Sequence, residues 1–203
     1  MHIPDGFLDI KTLTTTNAVS VGLLYLAIKK VNKFITPERI PIMGVSAAFV
    51  FTLQLIAFPV ISGTSVHLLG SVLISVLLGP FSGLLIISSA LVLQAILFQH
   101  GGIISIGANI FNIGIIGCIL GYFIYRVYPN RLLAAISAWI TTVIGAFFCI
   151  LELYLSGKVD LKTGLIAMLS THAITGIIEA IATYLILLSI NKIRPDIENI
   201  EKI

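Results

Sequence analysis

The chain has 203 residues, 58% of them hydrophobic and only 10% charged, where a soluble domain carries about a quarter charged residues. A mean hydropathy of +1.09 excludes an ordinary soluble protein and marks a polytopic membrane protein. The net charge of +3 follows from how basic residues are distributed between loops and gives no reason to expect nucleic acid as a partner, for which no motif occurs either.

The first residues contain His2, Pro4 and Asp5 in place of the basic stretch that opens a signal peptide, so the chain is expected to keep Met1 as its first residue. A bulky His2 also disfavours removal of the initiator Met. A free amine followed by His offers the α-amine, the residue-2 amide nitrogen once deprotonated, and an imidazole, which close two fused chelate rings on one metal ion. Such in-plane nitrogen donors suit Ni(II) or Cu(II). Pro4-Asp5-Gly6 is turn chemistry, and Ile3, Phe7 and Leu8 give the loop apolar side chains to bury. A compact loop plugging back between helices is therefore expected.

Apolar runs bounded by Pro, Gly or charge then give seven spans, approximately Leu13 to Ile28, Pro41 to Phe58, Thr64 to Leu78, Pro80 to Phe98, Ile103 to Tyr125, Leu132 to Leu155 and Thr163 to Ile190. Pro41 and Pro80 suit first helical positions, where a missing N–H costs nothing, and Gly79-Pro80 makes a tight reversal between spans three and four. The expected fold is an all-α membrane bundle in one domain: residues 1–12 a metal-binding loop, 13–190 the bundle, 191–203 a polar tail. Gly44 with Ala48, Gly79 with Gly83, and Gly117 with Gly121 have the spacing that permits close helix approach in lipid. Cys118 and Cys149 fall inside spans and read as small buried hydrophobes.

Cytoplasmic loops carry the excess of Lys and Arg. An inward-running first span places Lys29, Lys30, Lys33, Arg39, Arg126, Arg131, Lys192, Arg194 and Lys202, nine of the twelve basic residues, on the cytoplasmic side. The N-terminus is then outside and the C-terminus cytoplasmic. In this topology His2, His67 in the first turn of span three, and His100 between spans four and five share the outer side. His172 lies about 14 Å into span seven from that side at 1.5 Å per residue, so all four histidines converge. Glu179 lies seven positions later on the same helical face, and the two are a candidate mutually satisfied pair.

Met1-His2-Ile3-Pro4-Asp5-Gly6-Phe7-Leu8, Gly63-Thr64-Ser65-Val66-His67-Leu68-Leu69-Gly70, Gly101-Gly102 with Gly107-Ala108-Asn109, and His172 with Glu179 together resemble the CbiM/NikM family. Its members are the membrane substrate-binding (S) components of energy-coupling factor importers for cobalt and nickel. The resemblance runs from residue 1 to about 190. It implies that the Met1 amine, the backbone and ring nitrogens of His2, and the ring of His67 form a metal square, with the N-terminal loop buried in the bundle. The Pro4-Asp5 form of the loop looks more like the nickel branch than the cobalt branch. It further implies a transmembrane T component, a pair of ATP-binding-cassette ATPases and a small additional membrane subunit as partners in a prokaryotic plasma membrane. The chain itself has no Gly-Lys-Ser or Gly-Lys-Thr phosphate loop.

The expected function is thus binding of a divalent transition metal as transported substrate, Ni(II) first, with Co(II) uptake for cobalamin biosynthesis as the alternative. Asp5, Thr64, Ser65, His100, Asn109 and His172 are candidates to orient the ligating imidazoles, though Thr64 and Ser65 are equally candidates to cap a helix starting there. A membrane-embedded metalloenzyme would also gather histidines and a Glu, but it needs an open coordination position and a general base. No His-Glu-x-x-His occurs, and four nitrogen donors leave little room for a reacting substrate.

Overall fold

The computed structural model describes residues 1–59 and 65–193. Thr64, the side chain of Ser65 and residues 194–203 of the polar tail lie outside the described set. Seven helices follow one another: α1 (Ile10–Val31), α2 (Arg39–Leu55), α3 (Ser71–Leu78), α4 (Pro80–Phe98), α5 (Ile106–Val127), α6 (Arg131–Leu155) and α7 (Leu161–Ile193). Four of them, α4 to α7, are long and apolar enough to cross a membrane. The expected seven full spans are therefore seven helices of unequal reach, since α3 has only 8 residues and extends about 12 Å at 1.5 Å per residue.

Local chemistry explains where the helices begin and end. The Asp9 carboxylate accepts the Thr12 amide at 3.0 Å and starts α1 three residues before its apolar run. Asn130 does the same for α6 through the Leu133 amide at 2.8 Å. Pro80 occupies the first turn of α4 after Gly79, whose φ of 85° turns the chain sharply from α3. Pro41 sits two residues inside α2, which starts at Arg39, still among the positions whose N–H has no helical acceptor.

Spans two and three differ from expectation. Helix α2 stops at Leu55, and the chain from there forms an antiparallel ribbon, β1 (Ala57–Pro59) with β2 (Ser65–His67), in which Ala57 faces His67. Three residues and a positive φ of 70° at Gly70 separate the ribbon from α3. His67 is therefore at the end of a strand, not in a helical turn.

The core centres on α4 and on the middle of α5, where Ile110–Leu120 is wound as a π-helix. Leu84, Ile87 and Ile113 are fully buried there. Gly117 and Gly121 of α5 pack against Ser71 and Val72 of α3, which leaves no room for a Cβ at either position. That small-residue pair serves internal packing, while Gly44 of α2 faces open space. Helices α6 and α7 form the tightest helix pair, and Gly176 packs on Trp139 between them.

Candidate metal centre

The N-terminal loop is inserted into the bundle, as Ile3 and Leu8 imply, whereas Phe7, also expected to bury, is 49% exposed. Ile3 is 1% exposed and packs with Leu8, Ala108 and Cys149. Asn109 of α5 reads both backbone groups of Ile3: its Oδ1 accepts the Ile3 amide at 2.7 Å and its Nδ2 donates to the Ile3 carbonyl at 3.1 Å. That carbonyl also accepts the Gly102 amide at 2.9 Å. On the other side of the turn the Asp5 carboxylate accepts the amides of Ile103, Ile104 and Ser105 at 2.9–3.0 Å. Gly102 lies against Asp5 so closely that any Cβ would overlap the carboxylate. The Met1 side chain reaches α6, where its Sδ lies 3.0 Å from the place a Cβ on Gly145 would take.

This seating brings three histidines from three segments together. The ring centroids of His2 lie 4.9 Å from His67 and 4.1 Å from His100, and His67 lies 5.5 Å from His100. One ring nitrogen from each falls within 4.8 Å of the others, a spacing able to hold a metal ion. The Nε2 of His67 and the Nδ1 of His2 are 3.1 Å apart. The Nδ1 of His67 lies 3.0 Å from the Leu68 carbonyl, which can only accept, so that nitrogen carries the proton and Nε2 presents a lone pair. The hydrogen between the two rings then belongs to His2 Nδ1.

Two nitrogens bound at right angles to one metal at ~2.0 Å stand roughly 2.8 Å apart. The observed pair needs to close by only a few tenths of an ångström for a cation to take the place of that hydrogen. The single ring proton of His2 then sits on Nε2 in place of Nδ1; Nε2 is buried and without a partner, as is Oε1 of the neighbouring Gln94. Gln94 favours a proton on the His2 ring. Its amide is fixed by donating to Gln54 Oε1 at 2.9 Å, and Gln54 in turn donates to the Leu69 carbonyl at 2.8 Å.

Burial keeps these rings neutral. It holds His67 down at about 4, and it pushes His2 well below 6.5, with the nearby His67 and the terminal amine acting in the same direction. His100 is lowered too, first by burial and then by the amine.

The remaining expected residues take defined places. His172 lines the same cavity of about 460 Å³ as Met1, His2, His67 and His100, so the four histidines do converge. Its Nδ1 donates to the Met168 carbonyl at 2.9 Å, one helical turn back. His172 and Glu179 do not satisfy each other. The Glu179 carboxyl instead accepts the amides of Leu69 and Gly70 at 2.7 and 2.8 Å, holding the turn that follows His67. Asp5 and Asn109 act on the loop backbone and not on the imidazole rings. Gln54, Gln94 and the backbone role of Glu179 escaped sequence reasoning. Two glutamines inside otherwise apolar spans were a visible signal that polar partners had to exist.

The family model described as "Cobalt uptake substrate-specific transmembrane region", CbiM, matches residues 2–197. The chain belongs to the CbiM family. It is accordingly a multi-pass membrane protein of a transport family and not an enzyme. A protein of Archaeoglobus fulgidus named for fused nickel transport, NikMN, is 34% identical over 97% of this chain and 68% of its own length. One of Methanosphaerula palustris named for cobalt transport is 31% identical over 97% of this chain and 91% of its own. The crystal structure of a truncated transition metal transporter superposes with a TM-score of 0.87 at 32% identity, covering 95% of this chain and 99% of that one.

Proposed function

We propose that this chain captures Ni(II) as the substrate-binding component of an energy-coupling factor importer. The ligands are the Met1 amine, the deprotonated His2 amide, His2 Nδ1 and His67 Nε2. The observation that carries this reading is the facing pair of ring nitrogens, 3.1 Å apart, at a cavity that Met1 also lines, where the two backbone nitrogens of the terminus would complete a square. Amine and amide close a five-membered ring on the metal, and amide and Nδ1 a six-membered one.

Selectivity rests on the amide. Its proton leaves only for a metal that bonds nitrogen strongly in a plane, so Mg and Ca, which take oxygen shells, are rejected. The rings are already neutral, so the protons displaced come from the terminus, its amide included, while the hydrogen between His2 and His67 passes to His2 Nε2. Glu179 and Gln94 hold the His67 turn and the His2 ring in place while this happens.

The same reading places the N-terminus outside and the tail inside, with residues 1–12 as the metal loop, 13–190 as the bundle and 191–203 as the tail. A transmembrane T component, paired ABC ATPases and a small membrane subunit supply coupling and energy. Relatives named for cobalt and for nickel make the metal itself the first question. Parallel titrations with Ni(II) and Co(II) answer it: the expected result is tighter Ni(II) binding with the visible absorption of a square-planar nitrogen complex. Tighter Co(II) binding moves the assignment to cobalt, and a six-coordinate Ni(II) spectrum removes the amide from the ligand set.

A further inference from the structure

The four-nitrogen set uses two of the three clustered imidazoles and leaves His100 without a task. Nothing in the fold treats His100 as incidental. Its position depends on Gln99, the one non-glycine residue with positive φ among the described residues, at 52°, followed by Gly101 at 85°. Its own amide donates back to the Gln94 carbonyl at 3.2 Å. The loop after it is clamped by Asp5 and by the Ile3 carbonyl, so the segment that carries His100 and the segment that carries His2 are tied together. The Nε2 of His100 is buried with no hydrogen-bond partner, a condition native structures avoid unless the atom has another use.

That use follows from the order in which ligands become available. The His2 amide becomes a donor only after losing a proton, and it loses that proton only to a metal already close by. A cation arriving in the cavity needs ligands that bind it first. Three neutral ring nitrogens within 4.8 Å of one another bind a divalent transition cation without any backbone deprotonation.

We propose that His2, His67 and His100 form a side-chain capture site that holds the incoming divalent transition cation before it moves into the square, and that His100 lets go once the His2 amide binds. This rests on the terminal four-nitrogen reading above. His100 then acts on the path and not on the final complex. By microscopic reversibility, a group that helps only along the path speeds arrival and departure by the same factor.

The test uses the full chain in detergent or lipid, with Ni(II) alone and Co(II) alone as probes. In H100A, capture and release of Ni(II) are both expected to slow about tenfold or more, with affinity and the absorption of the final complex unchanged. H100Q, which keeps the side chain's bulk, is measured beside it, and slow exchange is expected in both. A drop in affinity with an unchanged capture rate, or no change in either rate, overturns the proposal.

A second arm acetylates the Met1 amine, which removes it as a donor and leaves all three rings. Weak Co(II) binding with the spectrum of a non-planar complex is expected to survive in that chain and to vanish when H100A is added. If the acetylated chain binds neither metal at all, the capture site fails while the terminal square stands. If it binds Ni(II) as tightly as the native chain, the terminal reading fails. If in addition H100A then abolishes equilibrium binding, the three rings are the site itself and the transient role is refuted.

Discussion

Glu179 shows how much of the candidate centre is built by residues other than its proposed ligands. Its carboxyl accepts two successive amides, Leu69 and Gly70, and so fixes the strand end that carries His67. Gln offers one acceptor where Glu offers two, and leaves one buried amide unanswered at a cost of about 1–3 kcal/mol. We expect E179Q to fold, to melt earlier, and to bind Ni(II) roughly 10-fold to 100-fold more weakly, in the range known for partners that orient metal ligands. Unchanged affinity in a titration would separate Glu179 from the centre. The role was half legible in the sequence: an intramembrane Glu marks a site, but its partner is 110 positions away in the chain and no periodicity points there.

The histidines also make stability depend on pH. His67 titrates at about 4 in the folded chain against 6.5 ordinarily, and His2 and His100 are shifted down as well. A group whose folded value is depressed leaves the unfolded chain holding more protons between the two values, so stability falls as pH falls through that window. For His67 alone the loss between pH 6.5 and 4 amounts to roughly 3 kcal/mol. Thermal melts of the metal-free protein are expected to drop across this range, and H67Q is expected to flatten the slope. A melting temperature independent of pH from 7 to 4 would contradict the burial of these rings.

At the scale of elements, the N-terminal loop behaves as a structural part with its own fastenings. Its turn residues and apolar side chains were readable, and so was its insertion. The clamps were not, because Asp5 and Asn109 are ordinary polar residues until the fold brings residues 101–109 against them. Gly102 is the point where loop and clamp touch: a Cβ there overlaps the Asp5 carboxylate. G102A is therefore expected to unseat residues 1–8, exposing Ile3 and lowering Ni(II) affinity at least tenfold, while leaving the far helices intact. Hydrogen exchange at the Ile3 amide reads this directly, and continued protection there would contradict it.

The β-ribbon was illegible for a physical reason. Short apolar runs with Val and Ser fit a buried strand or a helix equally, and only Gly70, with φ of 70°, forbids a helix running through His67 into α3. The π-helical stretch of α5 left no sequence signal either. It places Asn112, which donates to Glu152 at 2.7 Å, in register with α6.

For the whole molecule, composition alone identified a membrane bundle, and the order of apolar runs gave seven helices whose ends moved by no more than three residues except around the ribbon. Their unequal reach was not evident, since an apolar run shows how much of the chain avoids water and not how much of it is straight. Convergence of the histidines followed from placing Lys and Arg on one side, an argument that used no histidine. His172 joins the other three at one cavity, which links the charge pattern of the loops to the position of the centre.

The account stands or falls on the terminus. Ni(II) affinity is compared between the native chain and one whose Met1 amine is acetylated, a change that leaves every side chain present. Affinity is expected to fall by several orders of magnitude, together with loss of the square-planar absorption, because the blocked amine no longer closes a chelate ring with the His2 amide. Equal affinity and an unchanged spectrum in the two chains would show that the metal is held by side chains alone.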